Sequence, residues 1–164
     1  MAESADCACE LKSHSQFGPV LDGERLVRIL TDRHFKNNGE IRTSAFSLTD
    51  IISDGVSVVR AKYVSVAEAQ AVFDDIRRAA AAERVDGALI ASAQAIRLLT
   101  WDNGKRKLCV LDDPVLNDPN LRDNPAHAIA LSEGPIDREQ AQVIRADLLK
   151  ICRHVGYLSG VFFP

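Results

Sequence analysis

Apolar positions along the chain come in short runs, and only two stretches carry helical spacing. In ERLVRILTDRHF, residues 24–35, Leu26 to Thr31 reads as a strand, apolar on both faces except at Arg28. VSVVRAKYV, residues 56–64, is rich in β-branched side chains and reads as another. Residues 41–46 read as a short strand or an extended loop after the Asn37-Asn38-Gly39 turn. ALIASAQAIRLLTW, residues 88–101, reads as one long strand or two short ones. Asp102-Asn103-Gly104 then predicts a hairpin into KRKLCVL, residues 105–111, because Asn-Gly accepts the positive φ of a tight antiparallel turn. HAIALS, residues 127–132, reads as a further strand, after a loop rich in Asp and Pro from Asp112 to Pro125.

The helices announce themselves by caps. Ser65 and Glu68 form an S-x-x-E box, followed by Val66, Ala69, Phe73, Ile76 and Ala80 on one stripe, with Asp86-Gly87 as the stop. Asp137 and Gln140 repeat the device ahead of Ala141, Ile144, Leu148, Ile151 and Val155, with Gly156 as C-cap. Helices and strands do not alternate strictly. The pattern predicts an α+β fold: a mixed, mainly antiparallel sheet of about five or six strands with two main helices packed on one face. Residues 1–22 are polar and broken by Gly18-Pro19 and Asp22-Gly23, and are expected to form a flexible leader to a single domain over 23–164. The tail, YLSGVFFP, is apolar enough to pack on the body or on a partner.

Composition narrows the classes. The 164 residues, 46% hydrophobic and 26% charged, suit one globular domain with an ordinary core. A net charge of −3 argues against a nucleic-acid or anionic-membrane partner. The N-terminus lacks a secretory h-region, so a cytoplasmic protein is expected, with Cys7, Cys9, Cys109 and Cys152 as reduced thiols.

Arg28 poses the main chemical question. A guanidinium between Leu26 and Leu30 must pair, snorkel or reach a wet cleft, since burying it alone costs several kcal/mol. A structural ion pair is the plain outcome; an anion-reading Arg at a pocket is the functional one. Arg60, the charge in the β-branched run, is a second candidate. His127 shares a strand face with Ile129 and Leu131 and opens a strand after the longest loop, and His34 follows the first strand. Thr43, Ser44 and Ser47 offer hydroxyls, which in turns cap their own backbone. No metal site is expected: Cys7-Ala-Cys9 with His14 lacks C-x-x-C spacing, and the aspartate loop lacks the order of a calcium loop. Phosphate-binding glycine loops and a G-x-S-x-G elbow are absent, so no cofactor is expected.

The order Arg28, TSAFS and Glu133 resembles the arginine, serine, glutamate order of some ADP-ribosyltransferase-like domains. That resemblance implies Arg28 and Ser44 holding NAD and Glu133 stabilising the reacting ribose, although position 131, two before the glutamate, is Leu. The leading expectation is a non-catalytic binding or accessory module. Tyr157, Leu158, Phe162 and Phe163 would anchor a protein partner or a second copy. The alternative is an enzyme or sensor for an anionic, nucleotide-type ligand, which requires Arg28, Ser44 and either His127 or Glu133 to converge on one pocket.

Overall fold

A computed structural model describes residues 7–156. Six strands form one sheet: β1 (Arg25–Thr31), β2 (Val56–Arg60), β3 (Val85–Ser92), β4 (Cys109–Asp112), β5 (His127–Leu131) and β6 (Arg153–Val155). Their order is β4-β5-β2-β1-β3-β6, and every pairing is antiparallel. Three helices accompany it: α1 (Val66–Ala79), α2 (Ala93–Arg97) and α3 (Arg138–Ile151). The α+β expectation is met. The two main helices do not share a face, however. Ala69 and Phe73 of α1 pack with Val27, Ile29, Val59 and Ile90. Ala141, Ile144 and Leu148 of α3 pack with Leu26, Leu30, Val58 and Leu89. β1 is therefore apolar on both faces because both faces are covered.

Local signals explain the element ends. Both capping boxes form: the Ser65 hydroxyl accepts from Glu68 N–H, and the Asp137 carboxylate accepts from Gln140 N–H at 2.8 Å. Five expected elements differ. Residues 43–45 make a 3-10 turn, with Ile41 in only an isolated bridge to Phe35. In the 88–101 run the strand stops at Ser92, whose hydroxyl caps Ala95 N–H and starts α2 instead. The Asn-Gly turn exists, but its arms reduce to one bridge, Thr100 with Arg106, and β4 starts only at Cys109. α1 stops at Ala79, well before Asp86-Gly87, while α3 stops at Ile151, so Val155 belongs to β6 and Gly156 caps no helix. Gly87 lies within β3 at φ 115°, and a Cβ there would run into the Val155 carbonyl at the end of β6 and the Gly156 backbone just after it.

The leader is the larger correction. From Cys7 to Asp22 it is bound to the body, because long-range polar groups hold what its own composition would leave loose. Cys7 is joined to Cys109 by a disulfide, so these two are not the free thiols expected; Cys9 and Cys152 are free. Glu10 is buried and accepts from Arg97 Nε at 3.0 Å, Arg106 Nη1 at 3.2 Å and the Val110 N–H at 2.5 Å. Asp112, placed in a solvated loop by composition, is instead wholly buried. It accepts from Ser13 Oγ, from the N–H groups of His14 and Ser15, and from Ser15 Oγ. Burial pushes its carboxyl up, but the Ser15 and His14 bonds and the Arg60 charge outweigh this and hold it below the ordinary 3.8.

Arg60 sits between leader and sheet, fully buried. Its fork takes Glu24 through two bonds of 2.7 Å, and Asp112 at 2.9 Å. The remaining hydrogens reach the Gly18 and Pro19 carbonyls, and the Tyr63 ring lies 4.7 Å from its central carbon. Replacing Arg60 by Ala leaves two buried carboxylates uncompensated, and equilibrium urea unfolding should register a loss of about 3–5 kcal/mol. A Gly87→Ala chain should keep its fold but lose amide-exchange protection across Arg153–Val155, since the added methyl displaces β6.

Candidate functional site

α1 covers the β1–β3 part of its face and leaves the β2–β5 part open. Between α1 and the 113–126 loop lies a cleft of about 340 Å³. Val27, Ile29, Val59, Val72 and Ile76 supply apolar wall, and Ala79 and Ala80 close the end of α1. The polar lining is Arg28, His34, Ser57, Asn124 and His127, with no carboxylate among the lining residues. A second hollow of about 200 Å³ continues it towards Asp75, Val115, Leu121 and Arg122, sharing Ser57, Asn124 and His127, so a carboxylate does border the continuation.

Arg28 reaches this cleft through a gap in the sheet. β1 and β2 pair only at Leu26–Arg60 and Val27–Val59. Beyond that point the guanidinium spans the two: Nη1 donates to the Ser57 carbonyl at 3.1 Å, Nε to the Ala45 carbonyl at 3.2 Å, and Nη2 to Asp50 at 2.9 Å. The charge in an apolar strand thus replaces missing ladder bonds and keeps an edge towards solvent. Asp50 is itself held by a short π-helical turn, Asp50–Asp54, whose entry is capped by the Ser47 hydroxyl.

The two histidines are fixed in opposite senses. His34 Nδ1 accepts the Thr31 N–H at 3.0 Å, so the proton of the neutral ring sits on Nε2. His127 Nδ1 lies 2.5 Å from the Asp113 carbonyl and 3.3 Å from its carboxylate. A carbonyl only accepts, so that proton is on Nδ1 and Nε2 is the acceptor. The cleft therefore carries one ring with a donor remaining and one with an acceptor remaining. Burial lowers the His34 pKa below 6.5, the Arg28 charge adds to this, and Asp32 opposes it.

Of the residues expected to matter, Arg28, His34 and His127 line one cavity. Arg60 is absorbed in the buried ion cluster instead, with every polar edge bound to protein. Ser44 lies exposed on the 3-10 turn and does not line the cleft. Glu133 lies elsewhere, close to Cys7 and Cys109. The arginine, serine, glutamate order therefore does not assemble into one pocket. Tyr157, Leu158, Phe162 and Phe163 fall outside the described residues. Ser57 and Asn124 had no sequence signal: Ser57 stands in a β-branched run and Asn124 among turn residues, and only the fold aims them at the cleft.

Fold and cleft define a small α+β domain whose sheet is covered by a helix on each face, with a donor-rich hollow beside α1. No protein family, no curated protein and no solved structure matches the chain. Among the described residues, no helix is long and apolar enough to cross a membrane.

Because His34 binds its proton less readily when folded, it supports the fold fully above about pH 6.5 and progressively less as pH falls below that value towards its lowered folded pKa. Denaturation midpoints taken from pH 7.5 to 5 should fall more steeply for the native chain than for a His34→Gln variant.

Proposed function

We propose that this chain is a binding domain for a small organic anion with an apolar portion, held in the cleft between α1 and the 113–126 loop. One observation carries the reading: Arg28, His34 and His127 border one hollow whose lining, among the described residues, holds no carboxylate, although Arg28 and His127 are themselves paired with Asp50 and Asp113. A volume of about 340 Å³ is at the small end of ligand pockets, enough for a compact carboxylate or phosphate ester rather than a dinucleotide. The anionic group would face His34, Asn124 and the exposed edge of Arg28; the apolar portion would lie on Val72 and Ile76. Arg28 gives a field more than a full bidentate contact, because three of its five N–H donors already have partners. The same reading keeps the chain a soluble cytoplasmic protein, free of membrane and nucleic acid. The expected module with an adhesive tail has no comparable support, since its anchors lie beyond residue 156.

A thermal-shift screen against small carboxylates and phosphate esters tests the reading. A true ligand at 100 times its dissociation constant adds about 2.7 kcal/mol and a visible rise in Tm. His34→Leu, which removes the Nε2 donor, and Asn124→Ala should each weaken that ligand about tenfold or more, consistent with lost hydrogen bonds of about 1.5 kcal/mol to a charged group. A screen without shifts, or shifts that both variants keep, would sink it.

A further inference from the structure

Away from the cleft, three metal-ligating side chains from distant segments meet. Cys7 comes from the leader, Cys109 opens β4, and Glu133 follows β5 by two residues. The register explains the meeting: Cys109 stands opposite Leu131, so the chain leaving β5 passes beside it. The buried Glu10 bonds to Arg97 and the Val110 N–H then lay Cys7 over the start of β4. One ligand atom from each of the three lies within 4.8 Å of the others. Both cysteines are 1% exposed, while Glu133 is at the surface.

With the disulfide opened, this donor set suits a divalent ion of moderate softness. Zinc holds thiolates at about 2.3 Å and carboxylates at about 2.0–2.2 Å, which sets two thiolate sulfurs about 3.8 Å apart at the tetrahedral angle. The Cα atoms of Cys7 and Cys109 are 6.1 Å apart, so rotation about Cα–Cβ separates the sulfurs to that distance without moving backbone. Two thiolates favour zinc over calcium or magnesium, and the exposed side at Glu133 leaves room for a water as fourth ligand.

We propose that Cys7, Cys109 and Glu133 form a redox-gated zinc site, filled when the cysteines are thiolates and vacated when they join as the disulfide. The disulfide form has given up the two lone pairs that bind metal, so the two states exclude each other. With a peroxide as oxidant, the zinc dithiolate plus hydrogen peroxide and two protons gives the disulfide, free zinc ion and two waters. The sulfurs lose two electrons, and the peroxide O–O bond takes them. A thiol reductant reverses the step by disulfide exchange and restores two thiolates. In either state the leader stays tied to β4, by metal or by S–S bond, so the gate changes ion occupancy and not the fold.

The experiment uses the full chain carrying Cys9→Ser and Cys152→Ser, so that the remaining thiols are the two in question. Reduced with a phosphine and titrated with cobalt(II), it should bind one ion per chain and show the near-ultraviolet sulfur-to-cobalt charge-transfer band. The oxidised chain should show none. Zinc should bleach the band by displacement, and peroxide should release one zinc ion with loss of both thiols. Glu133→Gln, at an exposed position, should keep the circular dichroism of the parent and weaken cobalt at least about tenfold. A reduced chain with no charge-transfer band overturns the site. So does a band that survives Cys109→Ser, and equal affinity in Glu133→Gln removes the carboxylate from it.

Discussion

The structure turns on one buried cation. Arg60 ends β2 with no solvent contact, and its guanidinium ties together Glu24 just before β1, Asp112 at the end of β4, and the Gly18 and Pro19 carbonyls of the leader. Desolvating such a group costs several kcal/mol, so it is tolerable only when every donor is met. That demand fixes geometry. The end of β4 cannot drift from the end of β2, although β5 lies between them, because one carboxylate must reach the same fork. Asp112 then passes the constraint on, taking two backbone N–H groups and two hydroxyls from residues 13–15. A polar segment with few apolar residues of its own is thereby made part of the body. The cost of the buried charge is offset by order across four segments.

A second cluster repeats the logic at the other end of the leader. Arg97 and Arg106 share Glu10, and Arg97 also takes Asp22 and the Val20 carbonyl. With these anchors in place, Cys7, just before Glu10, is carried to Cys109, and Phe17 is stacked 4.3 Å from Tyr63. Here the chain uses salt bridges where a larger domain would use apolar area. The consequence is that Cys7 and Glu133, far apart in sequence, meet beside Cys109 at the start of β4.

The cleft arises from incomplete coverage. α1 is 14 residues long, enough to roof β1 and β3 but not the β2–β5 half of that face. The separation of β1 from β2 after two pairs opens a gap in the floor, and Arg28 fills it by serving carbonyls on both sides. So the residue that closes a fault in the ladder is also the one cation of the hollow. Arg28 thus both ties β1 to β2 and borders the hollow, whereas Arg60, in the neighbouring strand, is wholly taken up by the buried ion cluster.

What the sequence determined by itself was local. Capping boxes at Ser65 and Asp137, β-branched runs, and the Asn-Gly turn act within a few residues; the boxes start helices where their spacing placed them, while the strand from Val56 ends at Arg60 and the Asn-Gly turn keeps only one bridge. Alternation along HAIALS put His127 on the face it occupies, but the two apolar faces of β1 did not prevent both helices from being expected on one face. The tertiary structure alone decided what depends on partners far along the chain. Whether Ser92 ends a strand, whether Asp112 is solvated, whether Cys7 meets Cys109, and which of Arg28 and Arg60 borders a cavity all hang on contacts across dozens of residues. Hydrogen-bond and charge complementarity has no periodicity, so nothing in the linear order marks which acid a buried arginine will find; only the closed fold sets them within 3 Å.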